Sequence, residues 1–135
     1  MRRMNADFLD TNVILYLLDD SPKVAIAEQL IASGSIISVQ VLNEALVNCI
    51  RKAGMSWQEA GQFIDGVSTL CPVVDMTPTT HKIGRALGER YGLSVYDAMI
   101  VAAALENQCT TIYSEDMHHG LVVEGQLKIV NPFKT

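Results

Sequence analysis

Long hydrophobic runs are missing from this chain of 135 residues; the longest, Ala98–Leu105, is far short of a membrane span. A bilayer-crossing helix needs about 20 apolar residues, so no membrane association is expected. The opening MRRMNADFLDTNVILYLL has the basic start and apolar stretch of a signal peptide. Asp7 and Asp10 interrupt it, however, and no small-residue cleavage site follows. It reads as folded structure, with Met4 as an alternative start. Cysteine is scarce too. Cys49, Cys71 and Cys109 are odd in number, far apart and without a CxxC pair. That argues against a disulfide framework and a thiolate metal site, and points to a reducing cytoplasm. Positive charge is short: 10 Lys and Arg face 15 Asp and Glu, for a formal net charge of −5. Binding nucleic acid by bulk electrostatics alone is therefore disfavoured. A local carboxylate cluster that recruits a divalent cation remains open. HExxH, a glycine-rich phosphate loop and GxSxG are all absent.

What the chain has is alternation. Its 49% hydrophobic and 19% charged content suits a globular protein, and its length suits one domain over residues 1–135. Short β-branched runs alternate with helical ones. Strands are expected at Ala6–Asp10, Ser35–Val39, Pro72–Met76, Thr110–Ser114 and Lys128–Val130. Helices are expected at Asn12–Asp19, Pro22–Ala32, Gln40–Lys52, Trp57–Thr69 and Thr79–Tyr91. Ser56-Trp57-Gln58-Glu59 is a capping-box pattern, and Gly54 and Gly92 close helices. The last helix starts after Ser94, and residues 117–126 read as irregular. Strands and helices in this order predict an α/β protein with a parallel sheet covered on both faces. Ligands in such sheets gather at the carboxyl ends of the strands.

The polar residues just past those ends are mostly acids. Asp10 follows the first strand, and Ser38 ends the second with Glu44 in the next helix. Asp75 ends the third strand, and Ser114, Glu115 and Asp116 end the fourth. Asp97 starts a helix, SVYDAMIVAAAL, that is otherwise apolar nearly all round. Each acid alone has an ordinary reading. Asp10 reads as an N-cap, Glu44 as a solvated helix residue and Asp116 as a turn. Asp97 reads equally as a cap partner of Ser94 or as a site residue. Asn12 braces a carboxylate or is unremarkable. Together, carboxylates converging on one strand edge repel each other unless cations neutralise them, and hard oxygen donors favour magnesium or manganese. His81, His118 and His119 read as surface residues.

Four stretches resemble the motifs of PIN-domain ribonucleases: LDTNVILYLL at Leu9–Leu18, SVQVLNEAL at Ser38–Leu46, LSVYDAMIVAAAL at Leu93–Leu105 and TIYSEDMHHG at Thr111–Gly120. The ending IVNPF is similar to the tail of the VapC toxin branch. The resemblance runs from Ala6 to Phe133. It implies a three-layer α/β/α fold around a central parallel sheet. It also implies one acidic pocket of Asp10, Glu44, Asp97 and Asp116 holding Mg2+ or Mn2+, supported by Asn12 and Ser114. It implies RNA hydrolysis leaving 5′-phosphate and 3′-hydroxyl ends, transfer RNA being a common substrate of such toxins. It further implies a cognate antitoxin partner and a homodimer. Ser114 stands where the family also uses Thr, and Glu115 adds an acid beside the motif. Arg51, Lys52, Lys82, Arg85 and Arg90 are candidates for RNA phosphate contacts from charge alone. Two other classes compete. A haloacid-dehalogenase-like phosphatase would use Asp10 as nucleophile, but it normally has a second Asp where this chain has Asn12. A receiver or interaction domain would use Asp75 or no chemistry.

Overall fold

In the computed structural model, which describes residues 7–134, the elements alternate from end to end. They are β1 (Asp7–Leu9), α1 (Thr11–Leu15), a 3-10 turn (Tyr16–Leu18), α2 (Lys23–Ala32), β2 (Ile37–Ser38), α3 (Val39–Arg51) and α4 (Trp57–Leu70). There follow β3 (Val73–Val74), α5 (Pro78–Tyr91), α6 (Val95–Glu106), β4 (Thr111–Tyr113), β5 (Val122–Val123) and β6 (Leu127–Val130). The expected start of the first strand at Ala6, and Met4, lie outside the described residues.

β1 is central. It pairs in parallel with β4, Phe8 opposite Ile112, and β4 pairs in parallel with β6, Ile112 opposite Ile129. On its other side, a parallel bridge links Phe8 to Ile36, just before β2, and β2 pairs in parallel with β3. The Leu9 N–H donates to the Ile36 carbonyl and the Ile36 N–H to the Asp7 carbonyl, both at 2.9 Å. The spatial order is therefore β3-β2-β1-β4-β6-β5. Phe8, Leu9, Ile36, Ile37, Ile112 and Ile129 are fully buried, as expected for strands covered on both faces.

One expectation needs correction. Residues 117–126 are not wholly irregular, because β5 runs antiparallel to β6 with Val122 opposite Lys128. The turn between them is closed by the Gln126 N–H on the Val123 carbonyl, at 3.0 Å. Its central residues, Glu124 and Gly125, have φ of 53° and 65°. Val123 pairs with Leu127, so three residues turn the chain, and the left-handed pair among them is one that Asn-Gly or Asp-Gly usually signals. Glu-Gly hides it.

Helices α3 and α6 shape the edge of the sheet where the acids lie. α3 buries Val41, Ala45 and Cys49, and Ser38 caps its start. Gln40, Glu44, Asn48 and Lys52, spaced by four, therefore form a polar stripe on a different face. In α6 every residue from Ala98 to Ala104 is buried, so Asp97 marks the boundary between core and cleft. α5 packs closely on α6. A Cβ at Gly84 would stand 2.6 Å from the Met99 sulfur and 3.4 Å from the Ala98 carbonyl oxygen. Among the described residues, no helix is long and apolar enough to cross a membrane.

Gly84→Val should lower stability by roughly 1–3 kcal/mol, since the branched side chain overpacks this contact. Urea denaturation measures it, and an unchanged midpoint would contradict the overpacking and show that the Met99 side chain gives way.

Candidate active site

Chain direction across the sheet reverses at β1. The path goes from β1 to β2 and β3 on one side, then returns to β4 on the other. Such a reversal opens a crevice beyond the carboxyl ends of the strands. Asp10 occupies that place and is 4% exposed. Its N–H continues the strand pairing onto the Tyr113 carbonyl at 3.0 Å. Its Oδ1 accepts the Thr11 N–H at 2.7 Å, so the N-cap reading holds. Its Oδ2 accepts the Ser114 hydroxyl at 2.6 Å and the Asn12 amide at 3.2 Å. Cap and cleft residue are thus one role here rather than two.

Ser114 is fully buried and has a fixed orientation. Its oxygen accepts the backbone N–H groups of Asp116 and Met117, both at 3.2 Å. With those lone pairs engaged, its single proton is directed to Asp10. Asn12 is fixed in the same way. Its Oδ1 accepts the Glu115 N–H at 3.1 Å, which turns its Nδ2 toward the Oδ2 atoms of Asp10 and Asp116, the latter at 3.1 Å. Glu44 comes in from α3, where its carboxylate accepts the Thr11 hydroxyl at 3.3 Å and the Gln40 amide at 2.8 Å. Asp97 stands in the first turn of α6, half-buried, with its N–H capped by the Ser94 hydroxyl at 3.3 Å. One cleft of about 300 Å3 is lined by all four acids together with Asn12, Asn48 and Lys52.

Burial dominates the electrostatics. It pushes the Asp10 carboxyl up from 3.8 to about 6. The Ser114 and Thr11 hydrogen bonds oppose that rise, and the charges of Asp97 and Glu44 add to it. Asp97 is also raised, first by burial and then by the charge of Asp116, against the Ser94 hydrogen bond. Among the described residues no three Asp, Glu, His or Cys side chains are gathered tightly enough to chelate one ion directly. The donor chemistry still fits a hard divalent cation. Every acid donor is oxygen, and Mg2+ commonly keeps several waters while using only one or two carboxylates.

Other residues fall elsewhere. Glu115 turns away from the cleft to accept the Tyr16 hydroxyl and the Lys23 ammonium, and these partners lower its pKa. Lys23 also sits 5.0 Å from the Tyr16 ring centroid and 5.5 Å from that of Phe133. Asp75 lines a separate depression with Thr77 and Glu106. Of the expected RNA contacts, Lys52 lines the acid cleft and Arg51 a neighbouring depression. Lys82 and Arg85 are exposed on α5 and line neither, and Arg90 is paired with Glu124 at 3.1 Å. The three histidines are exposed. Thr11, Gln40 and Asn48 were not singled out by sequence. The available signal was spacing, since Gln40 and Asn48 each stand four residues from Glu44.

The PIN domain family model matches residues 8–121. The chain belongs to the PIN-domain family. No curated protein matches it. Solved structures of similar fold include a toxin–antitoxin complex from Klebsiella pneumoniae, 18% identical with a TM-score of 0.72, covering 96% of this chain and 99% of that one. Another is DNA-bound VapBC from Salmonella typhimurium, 19% identical with a TM-score of 0.69, covering 93% and 98%. A third is Mycobacterium tuberculosis VapC20, described as a sarcin–ricin loop cleaving toxin, 20% identical with a TM-score of 0.64, covering 78% and 86%. These likenesses agree with the mixed α/β fold and mostly parallel sheet of this PIN domain.

The raised Asp10 carboxyl has a consequence for stability. A carboxyl whose folded pKa exceeds its unfolded value stabilises the fold in its neutral form. That contribution is complete below about pH 4 and is lost as pH rises through about 6. In metal-free protein the native chain should lose stability between pH 5 and pH 7.5, and Asp10→Asn, which cannot ionise, should lack that loss. Denaturant titrations of both proteins in EDTA at pH 5 and pH 7.5 check it. Parallel pH dependence in the two would contradict the raised value.

Proposed function

We propose that this PIN-domain protein is a divalent-metal-dependent endoribonuclease of the VapC toxin type. One observation carries the reading: Asp10 after β1, Glu44 on α3, Asp97 on α6 and Asp116 in the loop after β4 line a single cleft at the sheet's point of reversal. Burial and mutual repulsion hold Asp10 and Asp97 at raised pKa, an arrangement that wants a cation. Mg2+ or Mn2+ bound there supplies Lewis-acid charge to the phosphodiester and a water of lowered pKa.

The chain's own residues do the positioning. Ser114 and the Thr11 N–H hold the Asp10 carboxylate in one orientation. The Asn12 amide ties Asp116 to Asp10, and Thr11 with Gln40 fixes Glu44. Without a bound cation, these acids repel a phosphate from the cleft. Lys52, the cation lining the same cleft, is placed to meet a backbone phosphate. Hydrolysis at this site leaves 5′-phosphate and 3′-hydroxyl ends. A cognate antitoxin, supported by the toxin–antitoxin complexes of similar fold, and a homodimer complete the proposal. No observation favours the phosphatase or the receiver reading.

Purified protein freed of any partner should cut a transfer-RNA pool at discrete sites in Mg2+ or Mn2+, and EDTA should stop it. Asp10→Asn and Asp97→Asn should each slow cleavage at least about 100-fold, on the scale of losing metal-assisted charge stabilisation. Gel analysis with both variants measures this. Undiminished cleavage by either variant would contradict the proposed site.

A further inference from the structure

The cleft continues past its acids. A depression of about 470 Å3 opens from it along α3, sharing Glu44 and Asn48 and adding Arg51, Val47 and Tyr96. A second, of about 230 Å3, opens from it and shares Leu15, Asn48 and Lys52. The three form one furrow along the stripe Gln40, Glu44, Asn48 and Lys52, with the acids at its middle.

The two arms differ in chemistry from the middle. The larger arm carries a cation, Arg51, while the smaller one shares Lys52 with the acid cleft and adds Asp19. Among the described residues neither Arg51 nor Lys52 forms an ion pair. Tyr96, directly before Asp97, is 63% exposed, and Val47 on α3 is 47% exposed in the same depression. An exposed ring, an apolar wall and a guanidinium beside a carboxylate cleft suit a planar base attached to a phosphate. Duplex RNA keeps its base faces stacked and cannot offer one to Tyr96, whereas an unpaired segment can. The pattern thus suits an unpaired RNA strand: acids, acting through their cation, at the scissile phosphate, Lys52 beside them, and Arg51 with the Tyr96 ring in the larger arm.

We propose that the Tyr96–Arg51 arm is a nucleobase subsite. An unpaired nucleotide flanking the scissile phosphate stacks its base on Tyr96 against Val47 and sets its phosphate on Arg51. The strand continues past Lys52. This rests on the ribonuclease reading and deepens it by naming where the substrate's unpaired base is gripped.

The test uses the Asp10→Asn protein in Mg2+ and a short single-stranded RNA carrying one 2-aminopurine, read by fluorescence quenching and anisotropy. Adding Tyr96→Ala should weaken binding roughly 5- to 150-fold and abolish the quenching, and Tyr96→Phe should restore both. With two phosphate contacts, the log–log salt slope should be about −1.4, falling to about −0.7 in Arg51→Ala or Lys52→Ala. Tyr96→Ala should leave that slope alone. Affinity and quenching unchanged in Tyr96→Ala would overturn the subsite, while cleavage by the native protein would leave the nuclease reading standing. No RNA cleavage by the native protein, with Tyr96-dependent quenching intact, would overturn the nuclease reading and support the subsite alone. Equal binding of the annealed duplex would overturn it as well. So would a Tyr96→Ala change in particle mass by light scattering with RNA affinity unchanged, since the face would then be a protein interface.

Discussion

The hydrogen bond from the Ser114 hydroxyl to the Asp10 carboxylate holds the rest of this site in place. It joins the ends of β1 and β4, the two neighbouring strands at the centre of the sheet, at a point almost closed to solvent. A carboxylate so buried is costly unless its oxygens are matched by donors, and Asp10 has three: Ser114, the Thr11 N–H and Asn12. Two of these have duties elsewhere. Ser114 also accepts the N–H groups that turn the chain after β4, and Asn12 also holds Asp116 and the Glu115 backbone. Disturbing one member of this set therefore moves the others.

The donors do not make Asp10 comfortable. Its carboxyl stays raised to about 6 because burial outweighs the hydrogen bonds and because Asp97 and Glu44 face it. Proteins keep such arrangements where a ligand relieves them, and a divalent cation bound beside Asp10, as proposed, would lower the repulsion among these groups. The remaining acid of that stretch, Glu115, is removed from the problem by Lys23 and Tyr16. That pairing leaves Asp116 as the acid of its turn that faces the cleft. α3 then extends the chemistry beyond the acids, since one helical face carries an amide, a carboxylate, an amide and a cation in line.

Much of this was legible in the sequence where local physics and global fold agree. The alternation of strands and helices, the Ser56 capping box, the Gly92 helix stop and the buried character of α6 all follow from local patterns. The position of Asp10 at a strand end followed from the parallel sheet. Glu44 was different, because hydrophobic pattern alone made it a solvated residue, and only the PIN motif placed it in the site. Thr11 and Gln40 stayed hidden because their role is to hold another side chain, which leaves no periodic trace. The β5 hairpin stayed hidden because β5 is only two residues long and Glu124 adopts a conformation that Asn or Asp usually signals. Charge alone could not sort the basic residues. Lys52 faces the cleft, while Arg90 is committed to Glu124.

The most direct measurement is the titration of the Asp10 side-chain carboxyl by carbon NMR, first in EDTA and then with added Mg2+. In the metal-free protein the account places its midpoint at about 6, and bound Mg2+ should pull that midpoint down by favouring the ionised form. A midpoint in the ordinary range near 3.8, unmoved by Mg2+, would contradict a buried carboxylate held ready for a cation.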